Sequence, residues 1–404
     1  MTTATQTPAT TLSDEMLERF RSRAAGYDRE NKFFQEDFDE LKEAGYLNLA
    51  LPQEFGGPGL NVAEVGRQQR RLAYYAPSDA VAVNMHFYWT GMAADLYRAG
   101  DKSCEWVLED AAKGEVFAAG HAERGNELVG LLSTAQATPE NGGYRINAHK
   151  SFGTMTPVWT RLGFHAMDMT DPSAPKVVHG FATRDTEGIR IQENWDSLGM
   201  RATRSDDTIF ENAFVPMERI ARVVPPGAAG LDLFLLGVFA WADVGFSNVY
   251  YGVAERARDL AIEEVKNKTS LGISRGSLAY HAEFQHGVAD LVLTLDPLAP
   301  HIDAVSNGYA AAVLNAPSWG PMDGAGWAAK IVSLKTNVTE SAFRAVDKAV
   351  ELAGGFGVSR HSELERLFRD SRMGKIHPAN SMLTHELVSK ITLGLDLDAQ
   401  PRWG

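Results

Sequence analysis

Between residues 118 and 228 the chain changes its period. On either side, apolar residues recur at helical spacing. Inside, short runs rich in β-branched and aromatic residues stand between turns: VFAAGHA, TAQATPENGGYRINAHKSF, RLGFHAM, KVVHGFATR, IRIQEN and DTIFENAFVP. Asn141-Gly142-Gly143, Asp171-Pro172 and Pro216 punctuate them. A helix-period sequence does not sit still as a strand, so this switch dictates an α+β chain in three parts. These are a helical domain at 1–117, a middle β domain of short strands at 118–228 and a helical domain at 229–404. A chain of 404 residues has room for three such units, each with its own core.

The flanks supply the helices. Ser13 is a plausible N-cap ahead of Asp14 and Glu15, and residues 12–47 read as helices. LALPQEFGGPGLN breaks the pattern, which resumes over 62–117. After Pro226-Gly227 come helices at 251–270, 277–305 and 327–355, with the Pro- and Gly-rich PSWGPMDG between the last two.

The net charge of −13 argues against a general nucleic-acid binder, although local Arg, Lys or helix N-termini can still hold an anionic ligand. One cysteine, Cys104, rules out an internal disulfide framework and suits a reducing cytoplasm. The Thr-rich start, MTTATQTPATTLSDEM, reads as a tail and not as a signal peptide. No apolar run approaches the roughly 20 residues that span a bilayer. The expectation is a cytoplasmic protein that binds neither nucleic acid nor membrane.

Three features are candidates for chemistry. Residues 351–381 join a glycine loop (Gly354, Gly355, Gly357) to a helix with Glu363, Arg366 and Asp370 on one side, ending near Pro378. Asp243 is a lone acid in the apolar run LFLLGVFAWADVGF, where burial raises a carboxyl pKa. Histidines 86, 377 and 385 are the third. His377 and His385 are spaced too far apart for a compact metal site and no Cys cluster supports one, so no metal is expected.

Four segments, in order, resemble the acyl-CoA dehydrogenase superfamily of flavoproteins. PQEFGGPG resembles its N-terminal loop, GGYRINAHKSFGT its GY-LNG-K-WIT strand pair, WDSLGMRATRSDDTIFENAFVP its LG-R-S segment, and GGFG with ERLFRDSR its C-terminal signature. The resemblance implies a helical N-terminal domain, a middle β-barrel or sandwich and a C-terminal four-helix bundle. It implies FAD, or FMN in its place, bound between subunits of a homotetramer. It assigns flavin contacts to Thr154, to Phe152 in place of the usual tryptophan, and to Glu123 within a divergent TEP--GSD segment. Gln285, Gly354, Gly355, Gly357 and Asn380 are assigned to the same cofactor. Arg275, with Lys268 behind it, is the candidate for the pyrophosphate, and Arg201 is structural.

The catalytic base is where the resemblance fails. Counting from Arg369-Asp370, the glutamate position of the dehydrogenases is Pro378, followed by Ala379 and Asn380. Some members carry the acid on an earlier helix, and counting back from Gly252 lands on Ala242, beside Asp243. Asp243 is therefore the reserve base, with His377 and His86 as acid–base candidates near neutral pH. Three readings stand. The leading one is an FAD-dependent α,β-dehydrogenase of an acyl thioester, passing hydride to flavin N5. The alternative is a two-component monooxygenase that uses O2 and flavin reduced by a partner reductase on a small organic substrate. The third is a flavin-binding relative without turnover. An electron-transfer partner or a flavin reductase is expected accordingly.

Overall fold

A computed structural model describes residues 12–274, 276–318 and 321–399, so the N-terminal tail and Arg275 lie outside the described residues. Five helices come first: α1 (Asp14–Glu30), α2 (Gln35–Glu43), α3 (Val62–Tyr75), α4 (Pro77–Arg98) and α5 (Glu105–Ala112). Ser13 caps α1 through Met16 N (3.2 Å), as its place before two acids predicts. Asn61 and Glu64 close a reciprocal capping box on α3. In the intervening loop Gly57 lies so close to the carbonyl of Leu51 that a Cβ would sit 2.3 Å from it. That contact, not flexibility, is why glycine stands there.

Eight strands follow: β1 (Phe117–Gly120), β2 (Gln136–Glu140), β3 (Gly143–Lys150), β4 (Arg161–Asp168), β5 (Lys176–Thr183), β6 (Ile189–Ile191), β7 (Thr208–Pro216) and β8 (Ile220–Val224). They form one sheet in the order β6-β7-β3-β2-β4-β5-β8, with β1 parallel to β4. Asn141-Gly142 turns β2 into β3, with Gly142 at φ 84°. Strand β8 follows Pro216 and had no separate signal in the sequence.

The remaining helices are α6 (Leu233–Asn267), α7 (Ala282–Leu295), α8 (Leu298–Ala312), α9 (Pro321–Ala353), α10 (Glu363–Met373) and α11 (Ser381–Leu393). The single helix expected over 277–305 is two helices, divided at Pro297, which cannot donate to the helical ladder. Helix α6 begins 18 residues before the expected 251 (251 − 233 = 18), because the run LFLLGVFAWADVGF belongs to it. By length and apolarity α6 could cross a membrane, but it packs against α3, α4 and α9 and is largely buried. It is the central rod of the helical bundle, and one of its faces meets α4 at the edge of the sheet.

Candidate active site

A cavity of about 430 Å³ opens where α4, α6, the ends of β1 and β3 and the loop after α10 converge. Each helix contributes one stripe. Val81, Met85 and Tyr88 are spaced four and three apart on α4. Val238, Ala242 and Phe246, with Phe239 and Asp243 beside them, face it from α6. Among the described residues, no lysine or arginine lines it.

The long loop from β6 to β7 forms one wall and is clamped from behind. Arg369 makes two hydrogen bonds to the carboxylate of Asp28 on α1 (2.9 and 2.6 Å). Arg201 donates to the carbonyl of the same Asp28 (2.9 Å). Asp370 accepts from Met200 N at 2.6 Å, and a Cβ on Gly199 would fall 2.3 Å from the carbonyl of Arg369. Glu363 pairs with Arg256 on α6 (2.7 Å) more closely than with its own-helix neighbour Arg366 (3.6 Å). The Arg369-Asp370 step is therefore what holds the Leu198-Gly199-Met200 turn against the cavity.

On that wall, hydroxyls run in series. Thr154 Oγ1 lies 2.7 Å from Ser205 Oγ, which lies 2.8 Å from Thr203 Oγ1, which donates to the Met200 carbonyl at 2.8 Å. Phe152, 58% exposed, meets Trp195 edge-on at 6.0 Å at the same end of the cavity.

Among the described residues three carboxyl groups line the cavity, Glu123, Glu127 and Asp243. Glu127 is exposed, and the two buried ones are pushed in opposite directions. Glu123 accepts from Lys150, Ser133 Oγ (2.6 Å), Thr134 N (2.8 Å) and Asn126 Nδ2 (3.1 Å). Burial would raise its pKa, but Lys150 and these donors outweigh burial and hold it below the ordinary range. Asp243 is 1% exposed and neither of its oxygens has a hydrogen-bond partner among the described residues. Burial pushes its carboxyl far up, and only the nearby Lys335 ammonium works against that. Lys335 is itself spent on the main-chain carbonyls of His377 (2.6 Å) and Ala379 (2.9 Å).

His377 enters from the loop after α10. Its Nε2 lies 2.8 Å from the Tyr250 hydroxyl and its ring stacks on Phe246 at 4.3 Å. Burial lowers its pKa to about 3, with Lys335 acting in the same direction, so the ring is neutral. Tyr88, absent from the sequence reading, hydrogen-bonds Nδ1 of His121. Behind His121 stand His165 at 4.9 Å and then His179 at 6.1 Å, directly opposed on β4 and β5. Burial keeps all three neutral. The signal that could have found Tyr88 was its register with Val81 and Met85.

The cavity thus brings together Thr154, Phe152, Glu123, Asp243, His377 and Asn380. Asn380 also caps α11 through Leu383 N (3.0 Å). His86 lies outside: its Nε2 meets the Leu47 carbonyl (3.1 Å) and its Nδ1 accepts from Phe117 N (3.2 Å), which makes it a core histidine with both nitrogens in use. Gln285 is exposed and donates to Ala279 O (2.9 Å), and His385 is exposed on α11. Lys268 reaches the Ala353 carbonyl, not the cavity. Gly354, Gly355 and Gly357 also lie away from it. A Cβ on Gly354 or Gly355 would meet nothing within 4 Å, and Gly357 packs on Ala353 and Val350.

Two family patterns match the chain: the acyl-CoA dehydrogenase N-terminal domain over residues 4–115 and the acyl-CoA dehydrogenase C-terminal domain over residues 244–382. The amino sugar nitrososynthase DnmZ of Streptomyces peucetius is 27% identical, covering 96% of this chain and 95% of its own. A putative acyl-CoA dehydrogenase, YdbM of Bacillus subtilis, is 24% identical over 93% and 94%. Among solved structures, KijD3 in complex with FMN and a dTDP-linked amino sugar superposes with a TM-score of 0.84. It is 24% identical and covers 96% of this chain and 93% of its own.

Proposed function

We propose, from the premise that this chain belongs to the acyl-CoA dehydrogenase superfamily, that it is a flavin-dependent monooxygenase of a small organic substrate. The observation that carries this reading is what the loop after α10 delivers to the cavity. The position of the dehydrogenase glutamate is Pro378, and the side chain beside it that lines the cavity is the neutral His377. Removal of a Cα proton from a thioester needs an ionised carboxylate within reach. Of the carboxyls that line the cavity, Glu123 has its oxygens committed to four donors, burial pushes the Asp243 carboxyl up, and Glu127 is exposed rather than sunk in the apolar wall.

The residues present fit a flavin. Phe152 and Trp195 offer aromatic surface at one end, the hydroxyl series offers hydrogen bonding on one wall, and the rest is mainly apolar. Bound in reduced form, a flavin supplies two electrons that let O2 place one oxygen atom on the substrate and release the other as water. The protein's part is to exclude water and handle protons. Tyr250 fixes the His377 ring through Nε2, which leaves Nδ1 as the ring atom to hold or give a proton. Tyr88, bonded to His121, is the second proton-bearing group on the opposite wall. Among the described residues the lining carries no cationic side chain and is mainly apolar, which suits a small, largely apolar substrate portion inside the cavity. The likeness to an amino sugar nitrososynthase supports the same choice.

The reading includes a homo-oligomer, expected as a tetramer, and a separate reductase. Phe356, 81% exposed, and the open Gly354 and Gly355 lie off the cavity lining, which suits a surface offered to a neighbouring copy.

The deciding experiment is an anaerobic titration of the flavin-loaded protein with a panel of acyl-CoAs. The visible band is expected to persist with every thioester, while pre-reduced flavin and O2 support oxygenation of small apolar substrates. Bleaching by any acyl-CoA returns the protein to the dehydrogenases. In the oxygenation assay His377→Ala is expected to lower turnover by about 10²–10⁴-fold with flavin affinity retained.

A further inference from the structure

The hydroxyl series on the cavity wall has a direction, and the direction is forced by its far end. A carbonyl oxygen can only accept, so Thr203 must spend its single proton on the Met200 carbonyl. In its contact with Ser205, Thr203 is then the acceptor, and Ser205 gives its one proton to Thr203. That leaves Ser205 as the acceptor in its contact with Thr154, so Thr154 donates into the wall. Each hydroxyl has one proton, and all three are used. What Thr154 Oγ1 can still offer a bound molecule is lone pairs.

The two redox states of a flavin differ in the complementary property. The oxidised isoalloxazine has bare ring nitrogens, which are acceptors. Two-electron reduction adds N–H groups at those nitrogens. An acceptor-only hydroxyl meets an N–H with a hydrogen bond and meets a bare nitrogen with lone pair against lone pair.

We infer that Thr203 and Ser205 are positioning residues that set redox-state selectivity: by fixing the Thr154 proton into the wall they make the cavity prefer reduced flavin over oxidised. This rests on the monooxygenase reading above, in which flavin arrives reduced from another protein and must leave oxidised. The Asp370–Met200 contact belongs to the same device, because it holds the carbonyl that terminates the series. Thr154, Ser205 and Thr203 are all buried and all line the cavity, so water does not compete for their protons as it would at the surface.

The test is a pair of binding titrations with FMN, oxidised in air and dithionite-reduced under anaerobic conditions, on the full-length protein. One hydrogen bond made rather than opposed corresponds to a ratio of about tenfold in favour of reduced FMN. The same tenfold ratio appears as a rise of about 30 mV in the two-electron potential of bound FMN. In Thr203→Val the series loses its terminus, Ser205 is free to donate to Thr154, and Thr154 can turn its proton to the cavity. The ratio is expected to fall to within about twofold, chiefly by tighter binding of oxidised FMN. Ser205→Ala releases the Thr154 proton directly and should move the ratio the same way, which covers the case that one variant folds poorly. A general loss of structure lowers both affinities together and leaves the ratio in place. Equal affinities in the wild type, or a wild-type ratio in either variant that keeps its affinity for reduced FMN, overturns the inference while leaving the flavin reading intact. Binding of neither redox form removes the flavin reading and the inference with it.

Discussion

Glu123 and Asp243 face the same cavity, and their surroundings push them apart. Glu123 lies three residues past β1, where the bend leading into β2 supplies the Thr134 N–H and the end of β3 supplies Lys150. Asp243 lies mid-helix on α6, where the backbone donors are consumed by the helix itself and the neighbours on its face are Val238, Ala242 and Phe246. A strand end can solvate a carboxylate and a helix interior cannot. One acid is therefore held toward its ionised form and the other pushed toward its neutral form in an apolar wall. Divergent pKa values in one site are the usual mark of an assigned division of labour.

The comparison breaks first at Lys150. Replacing it with methionine keeps the volume and strands Glu123 as an uncompensated buried charge. The expected loss is about 3–5 kcal/mol of unfolding free energy, read by urea denaturation at pH 7. Lys150 also donates to the His165 carbonyl at 2.5 Å, so part of the loss falls on β4. A loss below about 1 kcal/mol would mean that Glu123 takes up a proton at little cost, and the contrast with Asp243 would collapse.

The histidines behind Glu123 sharpen it. His179 has neither ring nitrogen paired, and burial takes its pKa from the ordinary 6.5 to about 3. With a folded pKa below the unfolded one, its contribution is complete above pH 6.5 and is lost as pH falls toward 3. Over that window each such histidine steepens acid unfolding by up to about 1.4 kcal/mol per pH unit. In His179→Leu, stability measured from pH 7 to 5 should fall less steeply by that amount. A slope identical to wild type would show that His179 is charged in the folded protein.

What the sequence disclosed follows from what is local. The period change at 118 and the strands it delimits were readable, because alternation is set within a few residues. Lys150 was readable in principle, since Tyr144, Ile146 and Lys150 share one face of β3, yet a lysine at a strand end reads more naturally as solvated. The His165–His179 pair required the β4–β5 register, and the clamp of Arg369 on Asp28 joins residues 341 apart. No spacing rule reaches across either. The glycine loop was legible as a motif and its distance from the cavity was not, because that depends on where α9 ends relative to α6. Asp243 is the reverse case: its isolation in an apolar run was visible in the sequence, and its lack of partners is the same fact seen in three dimensions.

The smallest expected effect belongs to Asp243. Since no hydrogen bond is broken, Asp243→Asn should change stability at pH 6 by less than about 1 kcal/mol, well under the change at Lys150. The informative part is the pH dependence. An acid whose folded pKa is raised binds its proton more tightly folded than unfolded, so it costs stability as pH rises out of the ordinary carboxylate range. The asparagine variant carries no proton to lose, and its stability should fall less between pH 6 and 8 than that of the wild type. Parallel curves over that interval would show Asp243 already ionised at pH 6. An ionised Asp243 in the α6 wall is what a thioester dehydrogenase would need, so the outcome bears on the reaction as well as on the fold.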